Sequence, residues 1–269
     1  MGVFEDERMY DIRCRCRLDN FLCVFRYLQL LFMEQTTGLA EILQEVNNFH
    51  PVVPFNPVKD RLLRMDFTAA NKDINEELLV DTTAFSSYVD KLLKNNKCAY
   101  GIGGYNEHRT IYSRSNVFDA GNNSEEPRRL HLGIDIWGKA GTPVFTPMEG
   151  TVHSFAFNDR FGDYGATITT LHHQNGEPFH ILYGHLSLAD LANLTVGKHM
   201  GTGEVIGHFG EPPENGGWPP HLHIQIIRNM QHYVGDYPGV CRYSEREDYL
   251  HNCPDPDLIL RMMRYAERF

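Results

Sequence analysis

The chain has 269 residues, of which 42% are hydrophobic, and this allows one sizeable core with or without a smaller accessory region. Its formal net charge of −10 argues against a nucleic-acid-binding protein, which normally carries a basic surface, and against electrostatic docking on anionic lipid. Its six cysteines include no Cys-x-x-Cys pair, so neither a disulfide framework nor a cysteine zinc site is expected.

The first 33 residues place arginines at positions 13–17 before an apolar run at 21–32, an order that resembles a secretory signal. Polar residues interrupt the run, acidic residues precede it, and no small-residue cleavage site follows. The run is also too short to span a bilayer. We therefore interpret residues 1–33 as an amphipathic helix, a poorly ordered segment or a translated upstream extension with Met33 as the true start. We expect a soluble chain, with the cytoplasm slightly favoured over export.

Residues 34–98 predict a helical accessory region. Thr37 can cap a first helix over residues 39–46, and the proline-rich segment 49–57 ends it. Asp81 or Thr82 can cap a second helix. The apolar side chains expected on its buried side are Phe85, Tyr88, Val89, Leu92 and Leu93.

From residue 99 onward, short β-type segments alternate with glycine, proline and asparagine. Long helices do not separate them, so the pattern predicts a mainly β fold with an antiparallel sheet core at 99–235. A C-terminal extension at 236–269 ends in a predicted helix from Asp255 to Phe269, and Cys241 and Cys253 are expected to be buried thiols rather than a disulfide. The predicted strands are 142–147, 150–155, 166–172, 180–183, 201–207 and 221–227.

The segment His131-Leu132-Gly133-Ile134-Asp135 has a glycine-rich, β-branched setting that favours a strand running into a loop. Residues at even spacing on a strand share a face. His131 and Asp135 are therefore expected to point the same way, with Gly133 leaving room between them. An imidazole and a carboxylate that converge form half of a zinc site.

Two further segments place histidines at the ends or on one face of predicted strands. His221 and His223 have even spacing on the strand at 221–227 and so share a face, and His185 ends the run Leu182-Tyr183-Gly184. A single histidine is most often a structural residue, but the three segments together indicate a site.

A catalytic zinc ion takes about three protein ligands and keeps a fourth position for water. His131, Asp135 and one histidine of the pair at 221 and 223 supply such a set. The ion's remaining positive charge lowers the pKa of bound water toward about 7 and polarises a carbonyl group. His185 and the other histidine of the pair can take the water's proton and stabilise the oxyanion.

The order of the three motifs resembles the lysostaphin/LytM-type zinc metallopeptidases, a peptidoglycan endopeptidase family. The motifs that carry the resemblance are His131-x-x-x-Asp135, Tyr183-Gly184-His185-Leu186 and His221-x-His223, and it extends over roughly residues 99–230. It implies the duplicated-hybrid-motif fold, an antiparallel β-sheet with a groove for an extended peptide.

By this resemblance His131, Asp135 and His223 are the ligands of one zinc ion per chain. His221 and His185 are the general base and the transition-state stabiliser, and the resemblance leaves open which residue has which role. The implied activity is zinc-dependent hydrolysis of peptide bonds in peptidoglycan-type or glycine-containing peptides by a metal-activated water. The implied partner is a peptide or peptidoglycan, with neither nucleic acid nor a stable membrane span.

An alternative is a non-catalytic peptide- or cell-wall-binding module of the same fold, although such relatives usually lose metal ligands. A cupin-type oxygenase is disfavoured because residues 224–230 lack the expected glutamate. The run 211–219 replaces the short turn usual before the His-x-His strand. Its Trp218 is interpreted either as a stacking platform for substrate or as an anchor of the loop.

Overall fold

The computed structural model describes residues 38–119 and 125–267. The predicted extension at 1–33 and the predicted helix cap Thr37 lie outside these residues. The described residues form a mainly β architecture with short helices at both ends of the chain.

Fourteen strands are present among the described residues. In chain order they are β1 Leu62–Arg64, β2 Tyr100–Gly103, β3 Glu107–His108, β4 Leu130–His131, β5 Ile134–Trp137, β6 Pro143–Phe145, β7 Gly150–Asn158, β8 Gly165–Gln174, β9 Glu177–Leu186, β10 His199–Met200, β11 Val205–His208, β12 His221–Ile227, β13 Val240–Cys241 and β14 Ala266–Glu267.

Nine of these strands form one sheet in the order β10-β7-β8-β9-β12-β5-β2-β1-β14. All its pairs are antiparallel except β1 with β2 and β1 with β14. Two small antiparallel sheets, β11-β6 and β13-β4-β3, lie beside it. The prediction of a mainly antiparallel β core is therefore confirmed, with parallel pairing only at the β1 edge.

Strand β12 lies in the interior of the large sheet, between β9 and β5, and all seven of its residues are buried. Its side chains alternate in character along the strand. Leu222, Ile224 and Ile226 belong to the main apolar core, whereas His221, His223 and Gln225 are the polar residues between them. Burial of the apolar set fixes the register, because a one-residue shift would turn the histidines into the core.

Five α-helices are present among the described residues: α1 Leu39–Glu45, α2 Glu76–Val80, α3 Thr82–Asn95, α4 Arg246–Asn252 and α5 Asp257–Leu260. Helices α1 and α3 match the two predicted helices. Asp81 is the cap of α3, since its Oδ1 accepts from the amides of Thr83 at 2.8 Å and Ala84 at 3.0 Å. The short helices α2 and α4 were not predicted.

The N-terminal elements pack onto the β core rather than apart from it. Leu39 and Leu43 of α1 are part of the main core cluster. Phe85 of α3 packs edge-on against Phe67, whose ring lies 4.8 Å from that of Trp137 in β5. No helix among residues 38–119 and 125–267 is both long and apolar enough to cross a membrane.

The predicted terminal helix from Asp255 to Phe269 is wrong for most of its length. Helix α5 ends after four residues because Arg261 has a left-handed backbone with φ of 51°. Asp257 Oδ1 accepts from the amides of Met262 at 2.8 Å and Met263 at 3.0 Å, which folds the chain back toward β14. Cys241 and Cys253 are buried free thiols, as predicted.

Candidate metal centre and catalytic site

His131 and Asp135 lie on two strands rather than on one. The segment breaks at Leu132 and Gly133, so that β4 pairs with β3 and β13 while β5 enters the large sheet. The expectation of a single shared strand face is therefore wrong. The two side chains still converge, because β5 places Asp135 directly opposite His223 of β12.

Gly133 is required where the two strands separate. A Cβ atom at this position would lie 2.4 Å from Cε1 and 2.7 Å from Nε2 of His223, distances that real Cβ contacts essentially never show. The room that the sequence predicted beside Gly133 is thus occupied by the imidazole of His223. This close approach brings the ring of His223 next to those of the first motif.

Three buried side chains present one ligand atom each to a common point. His131 Nε2 lies 2.9 Å from His223 Nδ1 and 3.3 Å from Asp135 Oδ1, and His223 Nδ1 lies 3.0 Å from that same oxygen. These three residues form a candidate metal-binding group. Tetrahedral zinc bonds of about 2.1 Å would separate such atoms by about 3.4 Å, so the spacing fits a small divalent cation.

Partners on the opposite side of each ring fix which nitrogen carries hydrogen. His131 Nδ1 donates to the carbonyl of Gly104 at 2.9 Å, which leaves the Nε2 lone pair for a metal ion. His223 Nε2 lies 3.0 Å from Gln225 Oε1, and the Gln225 amide group donates to Pro238 O at 3.2 Å. The Gln225 oxygen is therefore the acceptor, and the Nδ1 lone pair of His223 is free.

The tautomers leave the two ligand nitrogens facing each other without a hydrogen between them. At 2.9 Å, two lone pairs repel unless a cation or a proton lies between them. Burial and the neighbouring Arg109 hold the pKa of His131 at about 3, so its ring is neutral at pH 7. The donor set therefore fits a bound metal ion better than a shared proton.

His185 and His221 lie beside the ligand group with their rings 4.1 Å apart, centroid to centroid. His221 Nδ1 donates to Pro219 O at 2.7 Å and His185 Nδ1 donates to Asn215 O at 2.8 Å, so both Nε2 atoms carry lone pairs. His221 Nε2 is 4.0 Å from Asp135 Oδ1. Burial lowers the pKa of His221 to about 4 and that of His185 well below its usual value, which keeps both rings neutral.

A cavity of about 240 Å³ opens onto the ligand group and the two further histidines. Aromatic side chains form one wall beside them: the Tyr112 ring is 6.1 Å from those of His131 and Trp218. Phe118 and Phe85 continue this wall. All five predicted site residues therefore line one cavity, and its other walls come partly from segments that sequence reasoning treated as accessory.

Trp218 anchors its loop and also lines the cavity. It is 4% exposed, and its indole N–H donates to Asp163 O at 3.3 Å. The buried Asn215 closes the loop, since its side chain donates to Gly210 O and Trp218 O and accepts from the Trp218 amide at 3.0 Å. The anchor interpretation is thus confirmed, while the use of Trp218 as a stacking platform for substrate stays a prediction.

Sequence reasoning missed Arg109. This residue is 1% exposed, and its guanidinium donates to Asp135 Oδ2 and, at 2.7 Å, to Glu107 Oε2. An arginine in a polar run normally indicates a solvated side chain, and no local spacing links Arg109 to a carboxylate 26 residues away. Only the pairing of strands brings the two together.

Comparison with known proteins gives a match to one family and relatives that are similar over part of their length. Residues 129–234 match the model of Peptidase family M23. The chain is 39% identical over 103 residues to the DD-carboxypeptidase/endopeptidase Mpg of Neisseria meningitidis serogroup B, covering 38% of this chain and 21% of that relative. It is 33% identical over 166 residues to the L-Ala–D-Glu endopeptidase of Bacillus subtilis, covering 56% and 48% respectively.

Among solved structures, the antimicrobial peptidase lysostaphin from Staphylococcus simulans aligns at 24% identity with a TM-score of 0.38, covering 62% of this chain and 52% of that chain. The chain spans between about a fifth and a half of the length of the curated relatives it matches.

Proposed function

Since residues 129–234 form a Peptidase family M23 domain, we propose that the protein is a zinc-dependent metalloendopeptidase. The observation that carries this proposal is the convergence of His131 Nε2, Asp135 Oδ1 and His223 Nδ1 within 3.3 Å of one another at a cavity. A binding module would not need three buried ligands with two neutral histidines beside them.

The proposed substrates are peptidoglycan-type or glycine-containing peptides. Two relatives are named for peptidase activities of this kind, a DD-carboxypeptidase/endopeptidase and an L-Ala–D-Glu endopeptidase. Such peptides have small side chains and can lie extended in a narrow cleft. The buried position of the five histidine and aspartate side chains favours a thin, extended chain over a folded protein surface.

His131, Asp135 and His223 would hold one zinc ion per chain. When bound, zinc supplies a Lewis acid that polarises a carbonyl group and lowers the pKa of a coordinated water toward about 7. The chain's own contribution is a fixed set of lone pairs, because Gly104 and Gln225 determine the tautomers of the two histidine ligands. Their fixed orientation means that little rearrangement accompanies binding.

His221 is assigned as the general base and His185 as the group that steadies the reacting oxygen. His221 Nε2 carries a lone pair and lies 4.0 Å from the ligand oxygen Asp135 Oδ1, which is close enough to reach a proton on a small molecule between them. A neutral His221 can accept this proton at pH 7 and return it to the leaving amine. His185, whose ring centroid lies 4.1 Å from that of His221, offers a second polar contact to the reacting oxygen.

The assignment predicts different outcomes for two neighbouring histidines. Wild-type protein should bind about one zinc ion per chain, and His223→Ala should lose both the metal and peptide hydrolysis. His221→Ala should keep most of the metal while turnover falls by about 100-fold or more, because it removes only the base. Metal content by atomic emission and cleavage of glycine-rich peptides and purified cell wall, with and without chelator, measure both quantities.

The matched control is His199→Ala, an exposed histidine on β10, which should keep both metal and activity. A folded wild-type protein that binds no zinc would favour the non-catalytic module instead. Full activity of metal-loaded His221→Ala would overturn the role of His221 but not the metal site.

A further inference from the structure

Arg109 lies directly behind the candidate metal centre, between β3 and the 3₁₀-helix Thr110–Arg114. Its guanidinium is buried against the adjacent rings of Phe67 and Trp137, at 5.5 Å and 5.4 Å from their centroids. A buried cation is costly unless charged and polar groups surround it. Its nitrogens contact the side chains of Glu107 and Asp135 and, at 3.2 Å, the carbonyl of Gly103.

The contact with Arg109 gives the two carboxylate oxygens of Asp135 different partners. Arg109 Nη1 donates to Oδ2, while Oδ1 faces His131 and His223. With Oδ2 engaged, the carboxylate cannot rotate freely, and only one oxygen is offered to the ion. This arrangement favours a single-oxygen, four-coordinate site over one in which both oxygens bind.

The same segment also orients the first histidine ligand. Gly104, which follows β2, accepts the hydrogen bond from His131 Nδ1 and has φ of 110°. A Cβ atom at Gly104 would lie 1.7 Å from Arg109 Nη2 and 2.9 Å from His131 Nδ1. The backbone of residue 104 therefore fills the narrow space between the guanidinium and the imidazole.

Arginine suits this position better than lysine. Its planar fork reaches several acceptors at once, whereas an ammonium group is a compact point charge with a different geometry. Here one guanidinium reaches Glu107, Gly103 and Asp135 from three separate nitrogens. Glu107 also supplies a second negative charge, so the buried cation is compensated even when Asp135 shares its own charge with a metal ion.

We propose that Arg109 is a positioning residue for the metal ligand Asp135, and that the segment Gly103–Arg109 is an outer shell of the metal centre. This inference rests on the proposed function, since it takes His131, Asp135 and His223 as the ligands. The segment lies outside residues 129–234, so the family match does not include it.

The test compares the zinc affinity of Arg109→Lys and Arg109→Met with that of wild type, using competition with a chromophoric chelator. Removing an outer-shell partner of a metal ligand typically costs about 10- to 100-fold in affinity. We expect a loss of about 10-fold or more in Arg109→Met and a smaller loss in Arg109→Lys. Glu107→Gln should weaken affinity in the same direction and serves if Arg109→Met does not fold.

Two further measurements separate positioning from general stability. A purely structural role would lower the unfolding midpoint of the metal-free protein without changing the zinc affinity of the folded fraction. The visible absorption spectrum of the cobalt-substituted protein should change in the Arg109 variants, because the coordination by Asp135 changes. Arg61→Lys, at a half-exposed arginine paired with Glu267, is the matched control and should leave affinity and spectrum unchanged.

Unchanged or tighter zinc binding in folded Arg109→Met, with an unchanged cobalt spectrum, would overturn the positioning role while leaving the zinc site intact. Absence of zinc binding in the wild-type protein would instead overturn the proposed function, and this inference with it. The two failures are therefore distinguishable in one titration series.

Discussion

At the scale of single residues, the site is defined by which histidine nitrogen is left free. Carbonyl groups of Gly104, Pro219 and Asn215 accept from one nitrogen of His131, His221 and His185. A carbonyl oxygen has no hydrogen to give, so these contacts determine the tautomer without ambiguity. Main-chain carbonyl groups thus decide which nitrogen of each ring has a free lone pair. Their effect does not depend on the side chain of the residue that supplies the carbonyl group.

A buried histidine far from the metal centre should make stability depend on pH. His172 accepts or donates at both nitrogens, with Thr170 Oγ1 at 2.6 Å and Glu149 O at 2.8 Å, and burial lowers its pKa to about 4. The unfolded chain binds a proton near pH 6.5, whereas the folded chain does so only near pH 4. The stability supplied by the neutral ring is therefore complete above pH 6.5 and is lost as pH falls toward 4.

His172→Gln should remove this dependence. A pKa lowered from 6.5 to about 4 corresponds to about 3 kcal/mol of stability. The loss of unfolding free energy between pH 7 and pH 4 should therefore be smaller by up to about that amount in the variant. Urea denaturation at a series of pH values measures it. An equal pH dependence in variant and wild type would contradict the burial argument, and His173→Gln, at the exposed neighbour, is the control.

Sequence spacing predicted the converging residues but not what holds them. His131, Asp135, His185, His221 and His223 could be found because each lies in a short motif whose residues are close together in the sequence. Arg109 and Gly104 could not, since their contacts depend on the pairing of β2 with β5 and of β3 with β4. The single-strand interpretation of the first motif was wrong because Gly133 makes room for a ring from another strand.

At the scale of elements, the loop at 211–219 connects the cavity with His185, the proposed stabiliser of the reacting oxygen. The Asn215 side chain is fully buried and closes the loop through Gly210 and Trp218, while its main-chain oxygen holds His185. Loss of the side chain leaves those backbone groups without their partners, at a cost of about 1–3 kcal/mol. The loop would then relax, and His185 would lose its orientation.

Asn215→Ala should therefore lower kcat by roughly 10- to 100-fold while zinc content stays near one per chain, since the Asn215 side chain bonds to Gly210 and Trp218 rather than to a proposed metal ligand. Steady-state kinetics and metal analysis on the same preparation test this. Glu211→Ala changes an exposed position of the same loop and should leave kcat unaltered. Loss of zinc in Asn215→Ala would show that the loop supports the metal centre itself.

Helices and strands were predicted correctly where the apolar periodicity was clear. They were predicted wrongly where local hydrogen bonds ended an element that the periodicity favoured. Helix α3 has clear apolar periodicity and an aspartate cap, and the long strands have β-type segments bounded by turn residues, so both were predicted. The C-terminal apolar run suggested one helix, but Asp257 binds the amides of Met262 and Met263 and turns the chain after one helical turn. Strand β1 has three residues, too few for a pattern to show.

At the scale of the whole molecule, residues 34–98 and 99–235 share one sheet. Strand β1 pairs with β2 on one side and with β14 on the other, and Phe67 packs on Trp137 of β5. Elements on both sides of the predicted boundary at 98 thus contribute to one apolar cluster. The division into accessory region and peptidase domain stays a prediction, and the pairing suggests how to test it.

A fragment of residues 99–235 should be much less stable than one of residues 38–267. Removing Phe67 and Phe85 alone resembles two core Phe→Ala changes, each worth about 3–5 kcal/mol, which is comparable with the stability of a typical domain. Thermal unfolding followed by circular dichroism compares the two. A cooperative transition of the short fragment at the midpoint of the long one would show that residues 99–235 fold independently.

The interior position of β12 has a consequence for how the protein can change over time. The backbone of His223 pairs with Gly184 on one side and with Asp135 on the other. His223 therefore cannot shift unless strand pairing in the interior of the sheet is broken. The walls of the cavity, in contrast, come from helix ends and connecting segments at the rim. Descendants of this chain could therefore change the shape of the cavity by substitutions in its walls, while the arrangement of the candidate metal centre stays the same.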